Sequence, residues 1–72
     1  GRVARIVNSE TCLNVREAPT MSSPTLGCFP DGVLLAERGE STNAEAVTWI
    51  AVSTPSGKPG WASTEFLERR PD

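Results

Sequence analysis

Cys12-Leu13-Asn14-Val15-Arg16-Glu17-Ala18-Pro19 is the stretch that decides the fold. Leu13 and Val15 alternate with Asn14 and Arg16, the period of a strand with one buried face. Pro19 has no N–H to give a ladder, so pairing should stop near it. Leu13 and Val15 are predicted to face a core, and Asn14 and Arg16 to face out. The remaining chain reads as short strands folded back around this one.

Upstream, residues 3–7 (Val-Ala-Arg-Ile-Val) make an opening strand, with Asn8-Ser9-Glu10 as its turn. Downstream, residues 17–24 form a loop bracketed by Pro19 and Pro24, and residues 25–29 return as a third strand. A register that pairs Cys12 with Cys28 centres the hairpin on Thr20 and permits a cross-strand bridge. That register puts Leu26 on the face of Asn14, so a bulge or offset near Gly27 is expected. Pro30-Asp31-Gly32 is the strongest turn signal, because Asp-Gly supplies the positive φ that tight hairpins need.

Residues 33–38 then form a fourth strand. Residues 39–46 are polar without periodicity and are read as an exposed loop. Residues 47–53 are the fifth strand, with Ile50 and Val52 on one face and Val47, Trp49 and Ala51 on the other. Residues 54–60 are rich in breakers, and residues 61–63 make a short sixth strand. Ser63 is placed to cap one helical turn that docks Phe66 and Leu67 on the body of the fold, and residues 68–72 are read as tail. Short strands with frequent turns, and no window for a longer helix, predict an all-β barrel or sandwich.

The chain has 72 residues, a formal net charge of −2 and a sequence pI near 5.0. A chain of this size buries only about 60% of its unfolded surface, so a covalent staple would matter. Its two cysteines, Cys12 and Cys28, leave two readings open: a disulfide or buried thiols. A bridge would be worth about 3 kcal/mol through loop closure. It would also imply an extracellular, cell-surface or periplasmic setting. The acidic balance argues against nucleic acid as a partner. No apolar run approaches the length that membrane insertion requires. The chain does not open on Met and carries no signal peptide, so it is expected to be an excerpt or processed product of a longer protein.

Catalytic chemistry finds little purchase. There is no histidine, which removes Ser-His and Cys-His nucleophile pairs and the commonest metal ligand. The carboxylates are scattered over loops and edges, as on a solvated surface. The chain is therefore expected not to be an enzyme, and to need no metal and no cofactor. Trp49 and Trp61 each have a structural reading, as bulk for a small core, beside a ligand-facing one. Phe66 is read mainly as core. Arg16 either pairs with Glu17 or another acid, worth under about 1 kcal/mol at a surface, or orients the loop that follows it.

Taken in order, Leu13-Asn14-Val15-Arg16 with Pro19, Pro24-Thr25-Leu26-Gly27, Pro30-Asp31-Gly32, Trp49-Ile50-Ala51-Val52, Gly60-Trp61-Ala62-Ser63 and Phe66-Leu67 resemble the bacterial SH3 family. The resemblance runs from about residue 3 to residue 67. It implies an SH3-like barrel of five to seven short strands with one helical turn near the C-terminus. On that basis residues 1–72 form a single domain, with its core over about 3–69, expected to be monomeric in isolation. The family's domains are non-catalytic modules of exported bacterial proteins that bind peptidoglycan peptides or proteins. Eukaryotic SH3 domains that grip polyproline are rich in Tyr and carry a tandem Trp. This chain has no Tyr, and Thr48 stands where the first Trp would fall. Proline-rich ligands are not expected.

The implied function is a targeting module that recognises a peptidoglycan-derived peptide or a protein partner. Trp49, Trp61 and Phe66 would floor a groove between residues 17–24 and 39–46, with Arg16 and Glu17 beside it. The alternative is a structural or regulatory domain that packs against a neighbouring catalytic domain and has no ligand of its own.

Overall fold

In the computed structural model, which describes residues 2–70 (for Arg70 the backbone alone), the alternating stretch is strand β2, Leu13–Arg16. Leu13 and Val15 are buried, and Asn14 is exposed. Around β2 lie β1 (Val3–Ile6), β3 (Thr25–Phe29), β4 (Leu34–Ala44), β5 (Val47–Ser53), β6 (Pro59–Ser63) and β7 (Leu67–Arg70). All pairings are antiparallel, in the order β3-β2-β6-β5-β4-β1-β7. The fold is all-β and SH3-like. Hydrogen bonding does not close the sheet, since β3 and β7 are its edges. It nevertheless curls on itself. Leu26 and Phe29 from one edge and Leu67 from the other pack on a single core of Ala4, Ile6, Leu13, Val15, Leu35, Ile50, Val52 and Ala62.

Gly60 marks the tightest approach within that curl. A Cβ there would lie 2.6 Å from Leu26 Cδ1 and 2.7 Å from Val15 Cγ1. Only glycine lets β6 lie this close to β2 and β3.

The β2–β3 register carries the anticipated irregularity. Leu13 pairs with Phe29, Asn14 with Cys28 and Val15 with Gly27, but Arg16 pairs with Thr25, which leaves Leu26 bulged. Cys28 thus stands opposite Asn14 rather than Cys12. The two cysteines are diagonal neighbours 5.4 Å apart at Cα and form a disulfide.

Several expectations need correction. The Asp31-Gly32 turn exists, with Gly32 at φ 93°. It is not a hairpin, because β3 and β4 are not neighbours in the sheet. Its bonds go to β1 instead: Gly32 N–H donates to the Ile6 carbonyl (2.8 Å), and Ile6 N–H to that of Val33 (3.0 Å).

The polar segment read as an exposed loop, residues 39–46, is mostly strand. β4 runs on to Ala44, bent at Gly39 (φ 95°) where its register with β5 shifts between Glu37 and Ser41. The bulge breaks the side-chain alternation and both faces beyond it are wet, so no period survives in the sequence. The turn that ends it is Glu45-Ala46, both at positive φ (58° and 63°). Tight hairpins require that geometry, and they usually meet it with Asn-Gly.

The segment read as tail is also strand. Leu67–Arg70 pairs with β1 along its length. Pro71 and Asp72 lie outside the described residues. Two ion pairs tie this edge down: Arg5 with its cross-strand partner Glu68 (2.7 Å), and Arg69 with Glu37 (2.6 Å) across the intervening β1. The Glu37 side chain is only 5% exposed, and the Arg69 guanidinium holds its carboxyl below the usual value.

Candidate functional site

Strand β5 is buried on both faces. Ile50 and Val52 belong to the core, while Trp49 and Ala51 are buried on the opposite face. What covers Trp49 therefore determines what the domain can present. Its indole N–H donates to the Ala44 carbonyl (3.3 Å), so the β4–β5 hairpin flanks the ring. On another side stands the short 3₁₀ turn η1 (Thr64–Phe66), capped by the Ser63 hydroxyl and tied to β5 by Thr64 Oγ1 on the Thr48 carbonyl (3.0 Å). The Ser63 cap agrees with expectation.

The loop between β2 and β3 reaches the same place. Arg16 Nη1 donates to the Ser23 carbonyl (3.0 Å), and Ser23 Oγ braces the loop against Ala18. Of the two readings of Arg16, its contact is the loop-orienting one. The loop then meets the hairpin tip where Met21 N–H donates to the Glu45 carboxylate (2.9 Å). The strained Glu45-Ala46 turn aims that carboxylate.

These pieces leave a groove of about 400 Å³ over Trp49. Trp49, itself 1% exposed, and Leu13 form its floor. Met21 (59% exposed) and Phe66 (37%) stand at its sides, and Val47, Ser9, Cys12, Asn14 and Ser63 also line it. Arg16 and Glu65 are its charged lining residues. Ser9, a lining residue, also binds an acid outside the lining. Its N–H (3.0 Å) and hydroxyl both donate to Asp31, and these bonds hold the Asp31 carboxyl below the usual value.

The expected site residues divide accordingly. Trp49, Phe66 and Arg16 meet at the groove. Trp61 does not. It is half-buried on the same sheet face, in register with Ala51 and Arg16, but outside the groove lining. Glu17 is exposed, with its N–H bonded to the Pro24 carbonyl (3.0 Å), and it too lies outside the lining. Phe66 is not core as expected. Leu67 pairs with Ile6 and packs inward, so its neighbour Phe66 is left at the surface. The segments expected to flank the groove touch each other at Met21 and Glu45. The groove runs instead from that contact to η1 and the β1–β2 connection.

The sequence alone does not single out Met21, Val47 and Glu65 as site residues. Met21 offered one signal, as a large apolar residue in an otherwise polar loop. Among the described residues, no group of three or more His, Cys, Asp or Glu side chains is placed to hold a metal. Among those residues, too, no helix is long and apolar enough to cross a membrane.

A concave, aromatic-floored groove with exposed apolar sides can seat an apolar group of a ligand. Comparison with known families agrees: the family model described as bacterial SH3 domain matches residues 12–68, most of the chain. No curated protein matches it.

Proposed function

The chain belongs to the bacterial SH3 domain family, whose members are binding modules, and on that premise we propose that it is a non-catalytic targeting module of an exported bacterial protein. The observation that carries this reading is the groove over Trp49, with Met21 and Phe66 left exposed beside it. Large apolar side chains exposed around a concavity cost solubility unless something covers them. The occupant is an extended peptide, from the cell wall or from a protein. The alternative, a domain packed on a catalytic neighbour, calls for a broad flat face, and the concave shape supports the peptide reading. The Cys12–Cys28 bridge supports export, because disulfides persist in oxidising compartments.

Titration of the ¹⁵N-labelled domain with soluble peptidoglycan fragments and with a mixed peptide library tests the reading. Localised shifts are expected at the Trp49 indole, Met21, Glu65 and Phe66. If none of the pools produces localised shifts there, the packing-domain alternative replaces it.

A further inference from the structure

The groove's surroundings select among peptides. Its floor and sides are apolar, so one anchor is an aliphatic or aromatic side chain seated on Trp49 between Met21 and Phe66. The charge around it is lopsided. Glu65 lines the groove, Glu45 accepts from the N–H of groove residue Met21, and Asp31 accepts from groove residue Ser9. Against these stands one lining cation, Arg16, whose guanidinium is turned to the Ser23 carbonyl.

Four other arginines are engaged elsewhere. Arg5 pairs with Glu68 and Arg69 with Glu37, while Arg2 and Arg38 line a separate polar hollow with Glu40. Clefts rimmed by one sign of charge raise the local concentration of ligands of the other sign.

We infer that the groove over Trp49 takes a basic, apolar segment of a protein partner: an extended peptide with Lys or Arg flanking an aliphatic or aromatic anchor. This rests on the peptide-binding reading above and narrows it. An anionic wall peptide, with free carboxylates, would meet a rim of its own sign.

The test uses three capped pentapeptides with one leucine anchor, Gly-Lys-Leu-Lys-Gly, Gly-Ser-Leu-Ser-Gly and Gly-Glu-Leu-Glu-Gly, and a soluble peptidoglycan stem peptide. Each is titrated into the intact chain while the Trp49 indole signal and the amides of Met21, Glu65 and Phe66 are followed. The lysine peptide should bind at least about fivefold more tightly than the serine peptide, and the glutamate peptide more weakly still. Raising salt from about 0.02 to about 0.3 M should erase most of that difference.

Glu65→Gln and Glu45→Gln, which keep an acceptor but remove the charge, should each weaken the lysine peptide about two- to fivefold, with an unchanged fold by amide spectrum. Equal binding of the three pentapeptides would overturn the inference and leave the groove reading intact. So would tighter binding of the stem peptide than of the lysine peptide. Failure of every probe to move the groove signals would overturn both.

Discussion

The two faces of β5 bury side chains equally well and to different ends. On one face, Ile50 and Val52 are enclosed by residues from the other strands of the sheet. On the other, Trp49 is just as inaccessible, but it is walled by a hairpin, a 3₁₀ turn and a loop whose apolar side chains remain partly in water. The core face is also sealed at its margin. Glu37 pairs in register with Val52 and is held by Arg69. The Trp49 face has no comparable seal, because Met21 and Phe66 stand beside the opening instead of across it. Burial in a small curled sheet thus serves either closure or display, and the covering elements decide which.

Truncation at the two faces should separate these roles most sharply. Trp49→Ala is expected to cost about 3–5 kcal/mol and Ile50→Ala about 2–5, measured by denaturant unfolding. At temperatures where both remain folded, Ile50→Ala should keep peptide binding and Trp49→Ala should lose it. Retained binding in Trp49→Ala would erase the distinction between the faces.

Next in size is the covalent staple. Cys12 lines the groove and Cys28 lies on edge strand β3, so the bridge fastens groove wall to sheet edge. Replacing both cysteines by serine should lower stability by about 3 kcal/mol. The oxidised native chain should give no free-thiol signal, and a positive signal would remove the bridge from this account.

Smaller effects are expected at the groove sides. Met21→Ser should change stability by less than about 1 kcal/mol, since Met21 is 59% exposed, and Phe66→Ser, with Phe66 only 37% exposed, by about 1–2 kcal/mol, yet each should weaken peptide binding measurably. Large destabilisation would mean that these side chains belong to the core face's kind of packing.

The smallest effect concerns the seal of the core face. Arg69 lowers the Glu37 pKa from the usual 4.5, so ionised Glu37 stabilises the folded form. That contribution is complete above about pH 4.5 and is lost as pH falls through the lowered folded value. Acidification from neutral should leave the Arg69 Nε–H signal, which donates to Glu37, unmoved down to about pH 4.5 and shift it below that. Glu37→Gln should abolish that shift, and its persistence would locate the titration elsewhere.

Much of the fold was legible because local patterning and tertiary environment agree. Leu13 and Val15 alternate with polar neighbours and are buried as they predict, Ile50 and Val52 part from Trp49 and Ala51 as period two requires, and Ser63 caps the turn after it. Legibility failed where backbone pairing, not side-chain burial, makes the strand. Residues 39–44 extend β4 with wet side chains beyond a bulge, and Glu45-Ala46 turns the hairpin without the usual residues. β7 is polar apart from Leu67 because an outward ion pair, Arg5–Glu68, and one at the margin of the core, Arg69–Glu37, hold it in place of apolar contacts.

The candidate site divides along the same line. Trp49 is visible in the sequence as an aromatic on a strand, whereas its partners Met21, Val47 and Glu65 come from separate segments. By itself the sequence determined the class of the domain, its all-β order and which residues of β2 and β5 turn inward, since apolar periodicity is a local property. Only the tertiary structure decided that Trp61 stays outside the groove, that Phe66 is left exposed, and that Glu65 lines the groove while Glu45 and Asp31 bond to its lining residues. Those outcomes depend on which loops meet, and bulges, positive-φ turns and one short carboxylate contact between Glu45 and Met21 settle that.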